Sequence, residues 1–169
     1  MAPREVAISS KLRFIQLKYL HMAYRTPIVI HRAHPSYPPG CPKCPCPRAD
    51  FLHITWTCPR LQHFWGRVEQ TVSRVLGRDI ILTPKTALLE ITFEWGGSRG
   101  ERRFLGMATM IAKRDIAKHW MAKQSPRLST WRSGMDWVSK LEEPIYNARG
   151  CPQKHHRIWG KWWAFYGLE

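Results

Sequence analysis

Residues 41–76 read CPKCPCPRADFLHITWTCPRLQHFWGRVEQTVSRVL, and the two halves of this stretch obey different rules that meet at Cys58-Pro59. From Leu61 onward, apolar side chains recur in steps of three and four: Leu61, Phe64, Trp65, Val68, Val72, Val75 and Leu76. That period predicts a helix over 59–76 with one buried face. Pro59 suits its first turn and Gly77 its C-terminal cap, because proline gives up no helical N–H there and glycine accepts a left-handed backbone. The first half has no helical period. Instead it gathers four of the chain's five cysteines around one histidine within eighteen residues.

Taken as ligands, Cys41, Cys44, His53 and Cys58 give the pattern C-x2-C-x8-H-x4-C. A C-x2-C turn directs two thiolates at one ion, and His53 and Cys58, at the threshold of the 59–76 helix, close a tetrahedron from the other side. Three sulfurs and one nitrogen leave no position for water, so the expected zinc is structural and its product is folding energy rather than hydrolysis. Cys46 stands at a permitted spacing from Cys41 and is an alternative to Cys44. Pro45 lacks the N–H that often supports a thiolate after such a turn. Cys151 lies 93 residues beyond Cys58 and reads as a lone thiol.

Outward from this centre the chain reads as helical. Residues 9–24 place Leu12, Ile15, Leu17, Leu20 and Tyr24 near helical spacing behind a Ser9 or Ser10 cap. The proline-rich segment 26–39 predicts a connector with one short helical turn. Residues 79–97 mix a short β-like run with a helix start at Thr83-Pro84. A long helix is expected from about Arg99 to Lys123, stopped by Ser125-Pro126. Another begins near Ser129 or Thr130, burying Trp131, Met135, Val138 and Leu141, and is bent or ended by Pro144. In the last segment, Ile158, Trp159, Trp162 and Trp163 are expected to dock on the core while Lys154, Arg157 and Lys161 face solvent.

Charge narrows the partners. The chain carries 27 Lys+Arg against 12 Asp+Glu, a net charge of +15. Such a surplus attracts polyanions, nucleic acid first. Basic helices interleaved with aromatic rings suit RNA, and the residues expected to meet phosphate are Arg102, Arg103, Lys113, Arg114, Lys118, Lys154, Arg157 and Lys161. No apolar run is long enough to span a bilayer, and the charged start MAPREVAISSKLRF does not read as a signal peptide, so an intracellular protein is expected without membrane or small-molecule partners.

Three stretches, KLRFIQLKYLHMAYRTP, HRAHPSYPPGCPKC and ADFLHITWTCPRLQHFWGRV, together resemble the C-terminal region of the reverse transcriptase polyprotein of LINE-type non-LTR retrotransposons. AKRDIAKHWMAKQSPRLSTWRSGMDWV and RGCPQKHHRIWGKWW resemble the closing helices of that family's vertebrate members, in the same order. The resemblance implies a zinc-knuckle-like element after the polymerase domain, with Cys41, Cys44, His53 and Cys58 as ligands, RNA or an RNA–DNA hybrid as partner, and a nuclear, ribonucleoprotein setting. Polymerase and nuclease chemistry need acidic residues converging on Mg²⁺. Here the four aspartates are scattered at 50, 79, 115 and 136, so no catalysis is expected. The expected architecture is one mainly α unit, expected to be monomeric: a helix and proline-rich connector over 1–40, a zinc knuckle over 41–58, and a helical region over 59–169. The competing expectation is a zinc-stabilised protein-interaction module, or a retrotransposon-derived relic without nucleic-acid function.

Overall fold

A computed structural model describes residues 9–92 and 95–167. Among the described residues seven α-helices succeed one another: α1 Ser10–Leu20, α2 Pro27–Ala33, α3 Pro59–Leu76, α4 Pro84–Leu89, α5 Arg99–Lys118, α6 Leu128–Ala148 and α7 Pro152–Tyr166. A π-helical turn, His53–Thr57, precedes α3. The protein is mainly helical, and the Cys/His segment lies between α2 and α3 as expected. Among the described residues there is no strand, and no helix is long and apolar enough to cross a membrane. The charged stretch Met1 to Ile8 lies outside the described residues, as do positions 93–94 of the mixed 79–97 segment.

The centre of the molecule is α5. Phe104, Leu105, Met107, Ala108, Met110, Ile111, Ala112 and Ile116 are buried on all sides of it, which is the pattern of a helix enclosed by others. It packs against α1, α3, α4, α6 and α7. Its start is fixed by a capping box: the Glu101 N–H donates to the Ser98 hydroxyl and the Ser98 N–H donates to the Glu101 carboxylate. Two glycines permit close helix approach. A Cβ at Gly100 would lie 2.4 Å from the Arg157 carbonyl oxygen of α7, and one at Gly134 would lie 2.9 Å from Ile111 of α5.

The C-terminal tryptophans are core. Trp159 and Trp162 are wholly buried, Trp163 partly so, and the polar ends find partners: Trp159 Nε1 donates to Glu142 and Trp162 Nε1 to Asp136 at 2.7 Å. Helix α3 has the predicted bounds, with Gly77 left-handed at φ 69°.

Several expectations need correction. Helix α1 buries Leu12, Gln16 and Tyr19, while Leu17 and Leu20 face solvent, so the packed stripe is rotated from the one read in the sequence. Helix α5 ends at Lys118 rather than Lys123. Helix α6 runs on through Pro144, whose missing N–H leaves the carbonyl of Lys140, an exposed residue, without its helical donor. It buries Glu142 in place of Leu141. Residues 79–82 form no regular secondary structure and pair with no strand among the described residues; the N–H groups of Ile80 and Leu82 donate to the Ser73 hydroxyl and Glu69 carboxylate of α3.

Candidate metal centre

The loop that carries the first two ligands closes on itself. The Cys41 N–H donates to the Cys46 carbonyl at 2.9 Å and the Ala49 N–H to the Pro39 carbonyl at 2.9 Å. Gly40 makes the approach possible, since a Cβ there would come within 3.1 Å of the Cys46 carbonyl oxygen. Within the loop the Lys43 N–H points at the Cys41 sulfur, 3.4 Å away.

The other two ligands come from the π-turn. The Cys58 N–H donates to the His53 carbonyl, five residues back, at 3.0 Å. On an α-helix, residues five apart stand about 140° round the axis from one another. The wider i→i+5 turn brings them toward one side. Trp65 of α3 locks this turn by donating its Nε1 to the Thr55 carbonyl at 3.0 Å, and Gln62 donates to the Trp56 carbonyl at 2.8 Å.

As a result the Cys41, Cys44 and Cys58 sulfurs and a ring nitrogen of His53 all lie within 4.8 Å of one another. Cys41 Sγ is 3.9 Å from Cys58 Sγ, and Cys44 Sγ is 3.2 Å from His53 Nε2. All five cysteines are free thiols. The four predicted positions therefore form one cluster able to hold a metal ion. Cys46, the alternative to Cys44, is turned away, its thiol donating to the Arg48 carbonyl at 3.2 Å. Cys151 stands at the start of α7, apart from the cluster.

The electrostatics of the cluster favour a cation. Burial pushes the Cys58 thiol up to about 11; backbone N–H groups of Arg60 and Leu61 work against that, and the adjacent Cys41 adds to it. Buried thiols crowded together resist ionisation unless a positive charge sits among them. Burial also lowers the His53 pKa, with Asp50 opposing, which keeps the imidazole neutral and its lone pair available. The Nε2 atom faces Cys44, and Nδ1 lies 3.5 Å from the Thr57 hydroxyl, a partner that can fix the tautomer.

Sequence reasoning passed over Lys43. Its side chain is buried and its Nζ donates to the carbonyls of His119 at 2.7 Å and Trp120 at 2.9 Å, just beyond the C-terminus of α5. Burial lowers its pKa, and Cys41 and Cys58 beside it hold it up. The second residue between the two cysteines of the C-x2-C turn thus ties the cluster to the end of the central helix. The one sequence signal for this is its position, a lysine between two cysteines that are both committed to the cluster.

The basic residues expected to meet phosphate divide sharply. Lys113 is corrected: it is wholly buried, bonded to Glu90 at 2.9 Å and to Gln16, and serves the core. Arg103 and Arg114 turn to the carboxylates of Glu142 and Asp115. Arg102 donates to the Gly97 carbonyl at 2.7 Å, and Lys161 bonds Glu101 at 2.7 Å while remaining half exposed. Lys118, Lys154 and Arg157 are exposed. Comparison with protein families and with curated proteins finds no match to this chain.

Proposed function

We propose that the protein is a non-catalytic, zinc-stabilised RNA-binding segment. The observation that carries this reading is the Cys3His cluster set against the start of α3 in a chain of net charge +15. Zinc suits the donor set, since borderline-soft Zn²⁺ takes thiolate and imidazole in closed four-coordinate sites. It also suits the spacing. Bonds of about 2.3 Å to sulfur and about 2.0 Å to nitrogen imply tetrahedral edges of about 3.8 Å between sulfurs and about 3.5 Å between sulfur and nitrogen. The observed separations of 3.9 Å and 3.2 Å lie near both edges.

Cys41, Cys44, His53 and Cys58 would hold the ion, whose contribution is to neutralise the thiolates and cross-link the loop to the π-turn. Three thiolates on a divalent ion leave one net negative charge, which the Lys43 ammonium offsets. The basic surface then holds RNA, or an RNA–DNA hybrid, through phosphates and without reading sequence. The resemblance to the C-terminal region of LINE-type reverse transcriptases supports this reading and a nuclear ribonucleoprotein setting.

The test is a titration of zinc-loaded protein with labelled single-stranded RNA at several salt concentrations, repeated after zinc removal. Binding whose log K falls with log salt by about 0.7 per phosphate contacted, and which is lost with zinc, is expected. Absence of binding in both states would sink the RNA reading and move the protein to the interaction-module class. Cys58→Ser should lower zinc content and helical signal together.

A further inference from the structure

The chain's positive charge is unevenly committed. All five ion pairs among the described residues engage Arg78, Arg103, Lys113, Arg114 or Lys161. None involves α3, whose exposed positions include Arg60, His63, Arg67, Gln70 and Arg74. These steps of 3, 4, 3 and 4 run along one side of the helix, opposite the buried Leu61, Phe64, Val68, Val72 and Val75. The one acid of α3, Glu69, is held by the Leu82 N–H at 2.6 Å.

Arg60, Arg67 and Arg74 therefore form a row about 10 Å from one to the next, with no acidic partner among the described residues. The row begins two residues beyond Cys58 of the metal centre.

Its composition selects the partner. A stable protein interface needs an apolar, charge-depleted centre. Every exposed side chain of α3 between Arg60 and Arg74 is polar or charged, so this face offers no such centre. A polyanion requires only cations, and arginine's planar fork matches phosphate oxygens. A half-buried ring, Trp56, lies at the metal end of the row against Trp65. A ring beside a cationic track suits unpaired bases.

Building on the RNA reading above, we propose that the solvent face of α3 is the phosphate track: Arg60, Arg67 and Arg74 contact the backbone of a single RNA strand that runs along the helix from the metal centre. The residues chosen on sequence grounds lie elsewhere, on α5 and α7, and the most deeply placed of them are engaged internally.

The experiment compares zinc-loaded wild type with two triple variants, Arg60→Gln/Arg67→Gln/Arg74→Gln and Lys118→Gln/Lys154→Gln/Arg157→Gln. Each is titrated with an unstructured RNA of about a dozen nucleotides across a salt series. All six substitutions are at exposed helical positions, and glutamine has a similar helix propensity, so circular dichroism should be unchanged. The α3 variant should lose about 2 from the magnitude of the log K against log salt slope, three contacts at about 0.7 each. The control variant should keep the wild-type slope. If the control loses slope and the α3 variant does not, RNA binding stands and the α3 track is overturned. If zinc-loaded wild type binds no RNA, both proposals fall.

Discussion

Lys43→Ala isolates the link between the metal loop and the helical core. Lys43 is 7% exposed, and its ammonium makes two hydrogen bonds, 2.7 and 2.9 Å long, to the carbonyls of His119, which also accepts from the Ala122 N–H, and Trp120, just past the end of α5. A hydrogen bond to a charged group contributes about 1.5–3 kcal/mol, so two set an upper figure of about 3–6 kcal/mol. Both acceptor residues are half exposed, and water can reclaim part of that when the ammonium is removed. The desolvation of the buried ammonium offsets more. A net loss of about 2 kcal/mol remains, equivalent to about 4–8 °C in Tm for a chain of this size.

The assay is urea unfolding of the zinc-loaded protein, with a lower midpoint and unchanged slope expected. A loss below about 0.5 kcal/mol would place Lys43 among ordinary surface substitutions and refute the reasoning. Amide exchange supplies an independent check. The His119 and Trp120 N–H groups are bonded to Asp115 and Ala117. Their protection should fall in Lys43→Ala with zinc bound, and equally in the wild type once zinc is removed. Protection that survives zinc removal would mean that the loop holds its place without the ion.

Three further outcomes follow from the contacts. Cys44→Ser should abolish stoichiometric zinc binding while Cys46→Ser retains it, read by metal content after gel filtration, because only Cys44 faces His53. Lys113→Met should cost about 3–5 kcal/mol by leaving Glu90 buried and unpaired. At a temperature where the variant stays folded, its RNA slope should match the wild type. The Lys161 ammonium, with the Ser98 N–H, holds the Glu101 carboxyl at about 2, below its ordinary 4.5. The unfolded chain takes up that proton first as pH falls, so this contribution is complete above about pH 4.5 and lost toward about pH 2. Glu101→Gln should therefore differ from wild type by about 1 kcal/mol near neutral pH, and the two urea midpoints should converge near pH 2.

What could be read in advance was what neighbours in sequence decide. Helix α3 is announced by its apolar period, Pro59 and Gly77, all within its own eighteen residues and cap. The ligand set is announced by spacing alone. The π-turn is not, because one i→i+5 turn imposes no repeat on the side chains; it depends on Trp65 reaching back to the Thr55 carbonyl. Helix α1 was misaligned for a longer-range reason. Gln16 looks like a surface residue until Lys113, 97 positions away, comes to bond it inside the core. The same contact hides Lys113, and its other partner, Glu90, sits in a left-handed turn at φ 59° that no local pattern marks.

Charge shows where this limit bears on function. A net charge of +15 predicts a polyanion partner without saying which cations are free to meet it. A helical wheel puts every lysine and arginine outside, yet folding commits several to carboxylates that arrive from other helices. Arg103 meets Glu142 of α6, and Lys161 of α7 meets Glu101 of α5. The cations left for an external ligand are those whose helix face has no acid brought to it, and α3, whose single acid is used by the segment after it, is such a face. The proposed binding surface is thus defined by subtraction, and only the packed structure performs it.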